Sequence, residues 1–467
     1  MKKHVLLIGI LFTFPISLSA QPAGPVEGIW LGTLRVETSE LRLAIIISWS
    51  EGNYYEGILN SIDQGGAQVP LDKVNLKEDT LEVVVSAAGM TIRGAIDPAN
   101  GTWTTVFKQG PATFPLILTK VEQLPGMSRP QEPVPPCPYK TEEVSYEHSD
   151  AGITLSGTLT IPEGDGPFPA VILLTGSGPQ NRDEELLGHK PFLVLADYLT
   201  RHGIAVLRSD DRGVGGSSGD FSTATTEDFA GDALAGVEYL KARPDMNFSM
   251  IGLAGHSEGG MMAPMAAVRS DDVDFIVLLA APAIPFEDII RYQTRRSWIK
   301  IGMDSIDIER NTEWQNQIFK LISSEKSDQQ VREEMVRLYQ DLSEEARTRM
   351  QVTEASIESE IARSTSPWWR FAFRFDPVST LMQVSCPVLA ISGDKDTQVT
   401  SKENLAAIEK ALERGGNRDY RVVELKGLNH LFQTADSGDP LEYGRIEETF
   451  SPVAMQVIAE WINKLGK

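Results

Sequence analysis

Cysteine and histidine are scarce in this chain of 467 residues, with two of the first and six of the second. Cys137 lies in a proline-rich stretch and Cys386 precedes an apolar strand, so one bridge is the most the chain can form. One pair is no disulfide framework, and two free thiols are expected. With no His-Glu-x-x-His and no Cys/His cluster, the pattern points to no metal and no other cofactor. Cations are few as well: 43 Lys and Arg stand against 65 Asp and Glu, a formal charge of −22. A field of that sign repels phosphate backbones and anionic lipid, which argues against a nucleic-acid partner. After the first twenty residues no apolar run reaches the roughly 18–20 residues of a membrane span, so stable membrane insertion is not expected.

Met1 to Ala20 carries Lys2 and Lys3, then an apolar run from Val5 to Leu18, then the small Ala20 before Gln21. This is the layout of a secretory signal peptide, and it predicts an exported protein, periplasmic or secreted. Gln21, where a lipoprotein needs cysteine, argues against a lipid anchor.

The length predicts more than one domain. Residues 24–121 form short alternating runs bounded by Gly, Asn and Asp, which predict an antiparallel sheet or small barrel of seven or eight strands. The segment Gly28 to Val121 holds no histidine or cysteine, leaving structural support, oligomer contact or weak substrate binding as its roles. Residues 122–139 form a Pro-rich linker, with Pro125, Pro130, Pro133, Pro135, Pro136 and Pro138 favouring extended backbone. From residue 140 to 467 strands alternate with helices, and the strands are continuous Val/Ile/Leu runs. That is an α/β architecture, a mostly parallel sheet with helices on both faces. About 283–383 the alternation stops, and charged, helically periodic sequence predicts a helical cap. It ends in Pro367-Trp368-Trp369-Arg370-Phe371-Ala372-Phe373-Arg374-Phe375. These rings either glue the cap to the core or line an apolar pocket, with Trp368, Trp369 and Phe371 as candidates.

One stretch carries reactive chemistry. In Ser249 to Gly260 an apolar strand runs into Gly255-His256-Ser257-Glu258-Gly259 and then into an Ala-rich helix. A strand-to-helix turn this sharp pushes the serine Oγ into open space, and the flanking glycines avoid a clash with strand and helix. A serine hydroxyl needs a base, and the base needs a group to fix its tautomer. His4 leaves with the signal peptide, and His148 and His202 stand in no motif. His256 is turned away by the elbow geometry, while His189 stays in play. His430 follows a strand, in a loop C-terminal to the elbow, where the chain order Ser, acid, His requires the base. Between them Gly393-Asp394-Lys395-Asp396 offers two acids; Asp396 is favoured by its Gly-x-x-Asp placement, and Asp394 is the alternative. An oxyanion hole needs two backbone N–H groups. Glu258 should supply one and Ser177 the other, with Gly176 as runner-up.

The other glycine clusters do not bind nucleotides. Gly176-Ser177-Gly178 has Asn181 where a dinucleotide fingerprint needs its third glycine, and Gly213 to Gly219 lacks the Gly-Lys-Ser/Thr ending of a phosphate loop.

Taken together, Thr175 to Asp183, Asp211-Arg212-Gly213-Val214-Gly215, Gly255 to Gly260, Gly393 to Asp396 and Gly427-Leu428-Asn429-His430 resemble the α/β-hydrolase superfamily over residues 140–467. The resemblance is closest to its exported bacterial serine esterases with a small N-terminal β domain. It implies a Ser257, Asp396, His430 triad hydrolysing carboxylic esters of small to medium acyl groups through an acyl-enzyme. Thr175 departs from the histidine usual there, which puts substrate contacts at that position in doubt. A prolyl-oligopeptidase-like serine peptidase is an alternative, although the β segment is too short for a propeller. A non-catalytic cell-wall binding protein on a hydrolase scaffold is another. The expected partner is a small-molecule ester; a homo-oligomer is left open.

Overall fold

The computed structural model describes residues 26–36, 39–50, 54–64, 67–110, 112–124, 128–300, 302–344, 347 and 352–465, so the expected signal peptide lies outside it. The chain divides into two compact units, residues 1–126 and 127–467.

The first unit is a single antiparallel sheet of nine strands: β1 (Gly28–Val36), β2 (Ser39–Ser50), β3 (Tyr54–Ser61), β4 (Ala67–Pro70), β5 (Lys73–Lys77), β6 (Thr80–Val85), β7 (Met90–Asp97), β8 (Thr102–Gln109) and β9 (Ala112–Val121). Their order is β4-β3-β2-β1-β9-β8-β7-β6-β5. Alternate residues of β1, β2 and β6 to β9 share one core, centred on Trp30 and Trp103, whose rings meet edge to face at 6.3 Å. A sheet whose distant strands feed one core must curl. The count exceeds the seven or eight expected because β4, four residues ending in Pro70, and β5, five residues, are runs short enough to be passed over.

The second unit carries an eight-stranded sheet: β10 (Lys140–His148), β11 (Ile153–Ile161), β12 (Phe168–Leu174), β13 (Ala205–Ser209), β14 (Phe248–His256), β15 (Phe275–Leu279), β16 (Val388–Gly393) and β17 (Tyr420–Leu425). The order is β10-β11-β13-β12-β14-β15-β16-β17. β11 alone runs against its neighbours, so the sheet is mixed though mostly parallel. Period-two alternation splits the central strands, β12 to β16, between two cores. Ala170, Ile172 and Leu174 face one, with α2 (Thr226–Lys241) and α3 (Gly259–Arg269) packed on it. Val171 and Leu173 face the other, covered by α1 (Pro191–Arg201) and a closing helix at Pro452–Leu465. With its strand exchange at β13/β12 and one reversed strand, this is the α/β-hydrolase fold.

Between β15 and β16 the chain forms α4 (Phe286–Lys300), α5 (Ser305–Ser323), α6 (Asp328–Gln340), α7 (Glu354–Ser364), α8 (Pro367–Ala372) and α9 (Pro377–Leu381). α10 (Ser401–Gly415) and α11, the closing helix, complete the unit. α5 to α7 hold a small core of their own around Phe319, Met335 and Ile361. Arg370 of α8 is buried and donates to the carbonyls of Leu321, Ile322, Ser324 and Lys326, which caps the C-terminal end of α5.

Part of the expected linker is not a spacer. Arg129 donates to the carbonyls of Leu187, Gly188, Gly444 and Ile446, and Gln131 bonds the main chain of Thr449 and Phe450. Proline removes donors from the backbone there, and side chains supply the attachment instead. Cys137 and Cys386 form no disulfide.

Candidate active site

Ser257 sits between β14 and α3 with φ +51, a left-handed backbone that a non-glycine residue adopts only under constraint. The constraint is packing on both sides. A Cβ on Gly255 would lie 1.9 Å from the carbonyl oxygen of Gly259, and one on Gly259 would lie 2.2 Å from that of Leu174. The Ser257 N–H is tied to the Leu279 carbonyl at 2.8 Å, fixing the elbow to the neighbouring strand.

Asp396 and His430 come from the loops after β16 and β17, which are adjacent and parallel. Asp396 Oδ2 accepts from His430 Nδ1 at 2.7 Å, while its Oδ1 accepts from the N–H groups of Gln398 and Val399 at 2.8 Å each. Both side chains are buried. Asp394 instead accepts from the Gly427 N–H at 2.7 Å and shapes the β17 turn. His189 is far from this chemistry in role: it is buried, bonded to Thr449 Oγ1 and the Tyr443 carbonyl, and burial lowers its pKa to about 4.

Ser257 and His430 border one cavity of about 510 Å³, together with Ser177 and Glu258. Among the described residues, the amides of Ser177 and Glu258 have no acceptor. The Gly176 N–H is engaged by Glu184 Oε1 at 2.7 Å, which removes the runner-up. Thr175, the departure from the pattern, donates to Asp211 Oδ1 at 2.8 Å and is not part of the cavity lining. Burial pushes Asp211 up to about 7, with the charges of Glu258 and Glu184 adding to it.

The aromatic stretch divides by function. Trp368 and Trp369 line the cavity, and both rings meet Phe286 edge to face at 5.5 and 5.6 Å. Phe371 does not line it: it stacks on Phe375 at 5.6 Å and packs against the main core. The wall residues that the sequence reading missed include Phe286, Ile289 and Ile290 on α4, and Met261 and Phe221. The spacing of the first three puts them on one helical face, a signal that the charged residues between them obscured. Gln293, on the same helix, donates to the Gln398 carbonyl at 3.0 Å.

Glu258 is the charged side chain of this wall. Its Oε1 accepts from Thr226 Oγ1 and Trp368 Nε1, each at 2.6 Å, and its Oε2 has no partner among the described residues. Burial raises its pKa, and the two hydrogen bonds oppose that.

Fold, elbow and cavity define a serine hydrolase of the α/β-hydrolase class. Residues 151–430 match the family model described as X-Pro dipeptidyl-peptidase (S15 family), and the chain belongs to that family. Among curated proteins it is similar to Esterase EstD of Thermotoga maritima, 28% identical over 327 residues that cover 68% of each chain. Among solved structures it is similar to the esterase Pf2001 of Pyrococcus furiosus, at 17% identity and a TM-score of 0.40, covering 70% of this chain and 91% of that one. It is also similar to Est1E of Butyrivibrio proteoclasticus with ferulic acid bound, at 18% identity and a TM-score of 0.41, covering 69% and 98%. No helix among the described residues is long and apolar enough to cross a membrane.

Proposed function

We propose that the protein is an exported carboxylesterase whose triad is Ser257, Asp396 and His430. The observation that carries this reading is the junction of the Asp396–His430 hydrogen bond, Ser257 and two unengaged amides at one cavity. Ser257 Oγ attacks the ester carbonyl while His430 takes its proton; Asp396 holds the Nδ1–H and stabilises the imidazolium. The carbonyl oxygen becomes an anion received by the N–H groups of Ser177 and Glu258. His430 returns the proton to the departing alcohol, leaving Ser257 acylated, and water enters by the same steps in reverse to release the acid.

The helices from α4 to α9 act as a cap that closes the cavity over Ser257. A volume of about 510 Å³ lies within the roughly 300–1,000 Å³ of ligand pockets and suits small to medium acyl groups. The similarity to EstD supports ester hydrolysis.

The family match favours a second reading, release of X-Pro dipeptides by the same serine. Initial rates on p-nitrophenyl esters of two to twelve carbons, set beside X-Pro p-nitroanilides, separate the two. A Ser257-dependent rate on short esters with none on anilides supports the esterase; the reverse overturns it.

A further inference from the structure

The three segments around Ser257 leave different strands: the turn after β12 with Gly176 and Ser177, the elbow after β14, and the loop after β17 with His430. One buried carboxylate touches the first two and reaches the third through a ring. Glu184 Oε1 accepts from the Gly176 N–H at 2.7 Å and from His256 Nδ1 at 2.8 Å, and His256 Nε2 lies 3.0 Å from the His430 carbonyl oxygen. A carbonyl oxygen only accepts, and so does an ionised carboxylate. With Glu184 ionised, both ring nitrogens of His256 carry hydrogen and the ring is an imidazolium; the neutral pair, with its proton on Glu184 Oε1, makes the same contacts and is told apart by the ring spectrum below.

Glu184 is 4% exposed and His256 6%. Burial works against a charged ring, but the charge and hydrogen bond of Glu184, the His430 carbonyl and the field of Asp396 outweigh it and hold His256 above the ordinary histidine range. The titratable groups facing His256 are Glu184, Asp396 and the His430 ring, whose centroid is 4.8 Å away. Beside an ionised Glu184, a neutral His256 has one N–H and would leave either that carboxylate or the His430 carbonyl without its donor. Glu184 reaches this position from a left-handed backbone, φ +51, that only a surrounding structure can impose.

We propose that Glu184 and His256 form a buried carboxylate–imidazolium clamp that sets the spacing of the Ser177 amide, Ser257 and His430. Both are positioning residues: they act on the main chain of the three segments and touch no reacting atom. The kinetic part of the test rests on the esterase reading, and the spectroscopic part does not.

The test uses the full chain with ¹⁵N-labelled histidine, as wild type, Glu184→Gln and His256→Gln. Glutamine at 184 keeps an oxygen for the Gly176 N–H and removes the charge. The wild type should show at pH 8 one histidine with both ring nitrogens protonated, absent in His256→Gln and lost in Glu184→Gln. On p-nitrophenyl butyrate, Glu184→Gln should lower kcat about 10- to 100-fold with KM within about twofold, as expected when reacting groups are misplaced without loss of binding. Rates are normalised to sites titrated by a fluorophosphonate, so that unfolded protein does not count. A singly protonated His256 in the wild type overturns the clamp, and so does a Glu184→Gln enzyme with wild-type kcat, because packing alone would lower stability and leave turnover per site intact. Should the variants fail to fold, the wild-type ring spectrum still decides. A wild type inert to every ester would overturn the esterase reading, while the ring spectrum and the rate of fluorophosphonate labelling would still decide this one.

Discussion

Trp368 donates its indole N–H to Glu258 Oε1 at 2.6 Å, so the short helix α8 is tied to the residue that follows the elbow serine. The bond fixes a wall of the cavity relative to Ser257. Replacing Trp368 with alanine removes that wall, and the ratio of rates on twelve- and four-carbon p-nitrophenyl esters should rise about tenfold, the scale on which a reshaped apolar pocket alters discrimination. Trp368→Phe, which keeps a ring but loses the donor, should fall between. An unchanged ratio in both would show that acyl chains bind elsewhere.

Ser257→Ala should reduce ester turnover by at least about 10³-fold while leaving the melting transition in place, since loss of the nucleophile leaves only binding and oxyanion stabilisation. Asp396→Asn should cost on the order of 10⁴-fold in kcat, because an amide at the Asp396 position presents a donor to His430 Nδ1 and selects the wrong tautomer. Stopped-flow measurement of the acylation burst checks both. Asp394→Asn, at the turn beside it, should keep most of the activity.

Asp211 makes a pH signature. Its pKa, about 7, lies above the ordinary value of 3.8, so the folded state holds a proton that the unfolded state has already lost. The stability this contributes is fully present below about pH 4 and is lost as pH rises through about 7. The melting temperature of wild type should therefore fall between pH 5 and pH 8 relative to that of Asp211→Asn. Parallel curves for the two proteins over that range would show that Asp211 ionises normally.

Arg129 ties its segment to four carbonyls on two other parts of the second unit. Arg129→Ala leaves those acceptors without their charged donor and should destabilise that unit by about 2–4 kcal/mol. Chemical denaturation followed by tryptophan fluorescence reads this directly.

The layout of the second unit is legible in the sequence because its strands are buried on both faces and read as aliphatic runs, each ending in a glycine-marked turn. Ser257, Asp396 and His430 all stand just past such ends. Turn spacing alone favours Asp396 over Asp394, and it is Asp396 that accepts from His430 Nδ1 while Asp394 accepts from the Gly427 N–H. Other features depend on contacts that no local pattern records. Glu184 takes up the Gly176 amide from eight residues away, and it pairs with a histidine 72 residues further on. Which rings of the aromatic stretch face the cavity is set by how α8 docks, and Arg370, in the middle of that stretch, does the docking. In the first unit, strands as short as β4 form only because β3 offers a partner edge.

Leu279 at the end of β15 and Ile391 in β16 stand side by side in the parallel pairing of the two strands, and the next residue, Ala280, donates its N–H to the Ile391 carbonyl at 2.9 Å, although more than a hundred positions of chain lie between them. The sheet register is thus indifferent to what is spliced between these two strands. A change in the length of that insert leaves the pairing of β14, β15 and β16 in place, so the elbow that carries Ser257 and the loop that carries Asp396 keep their places along the sheet.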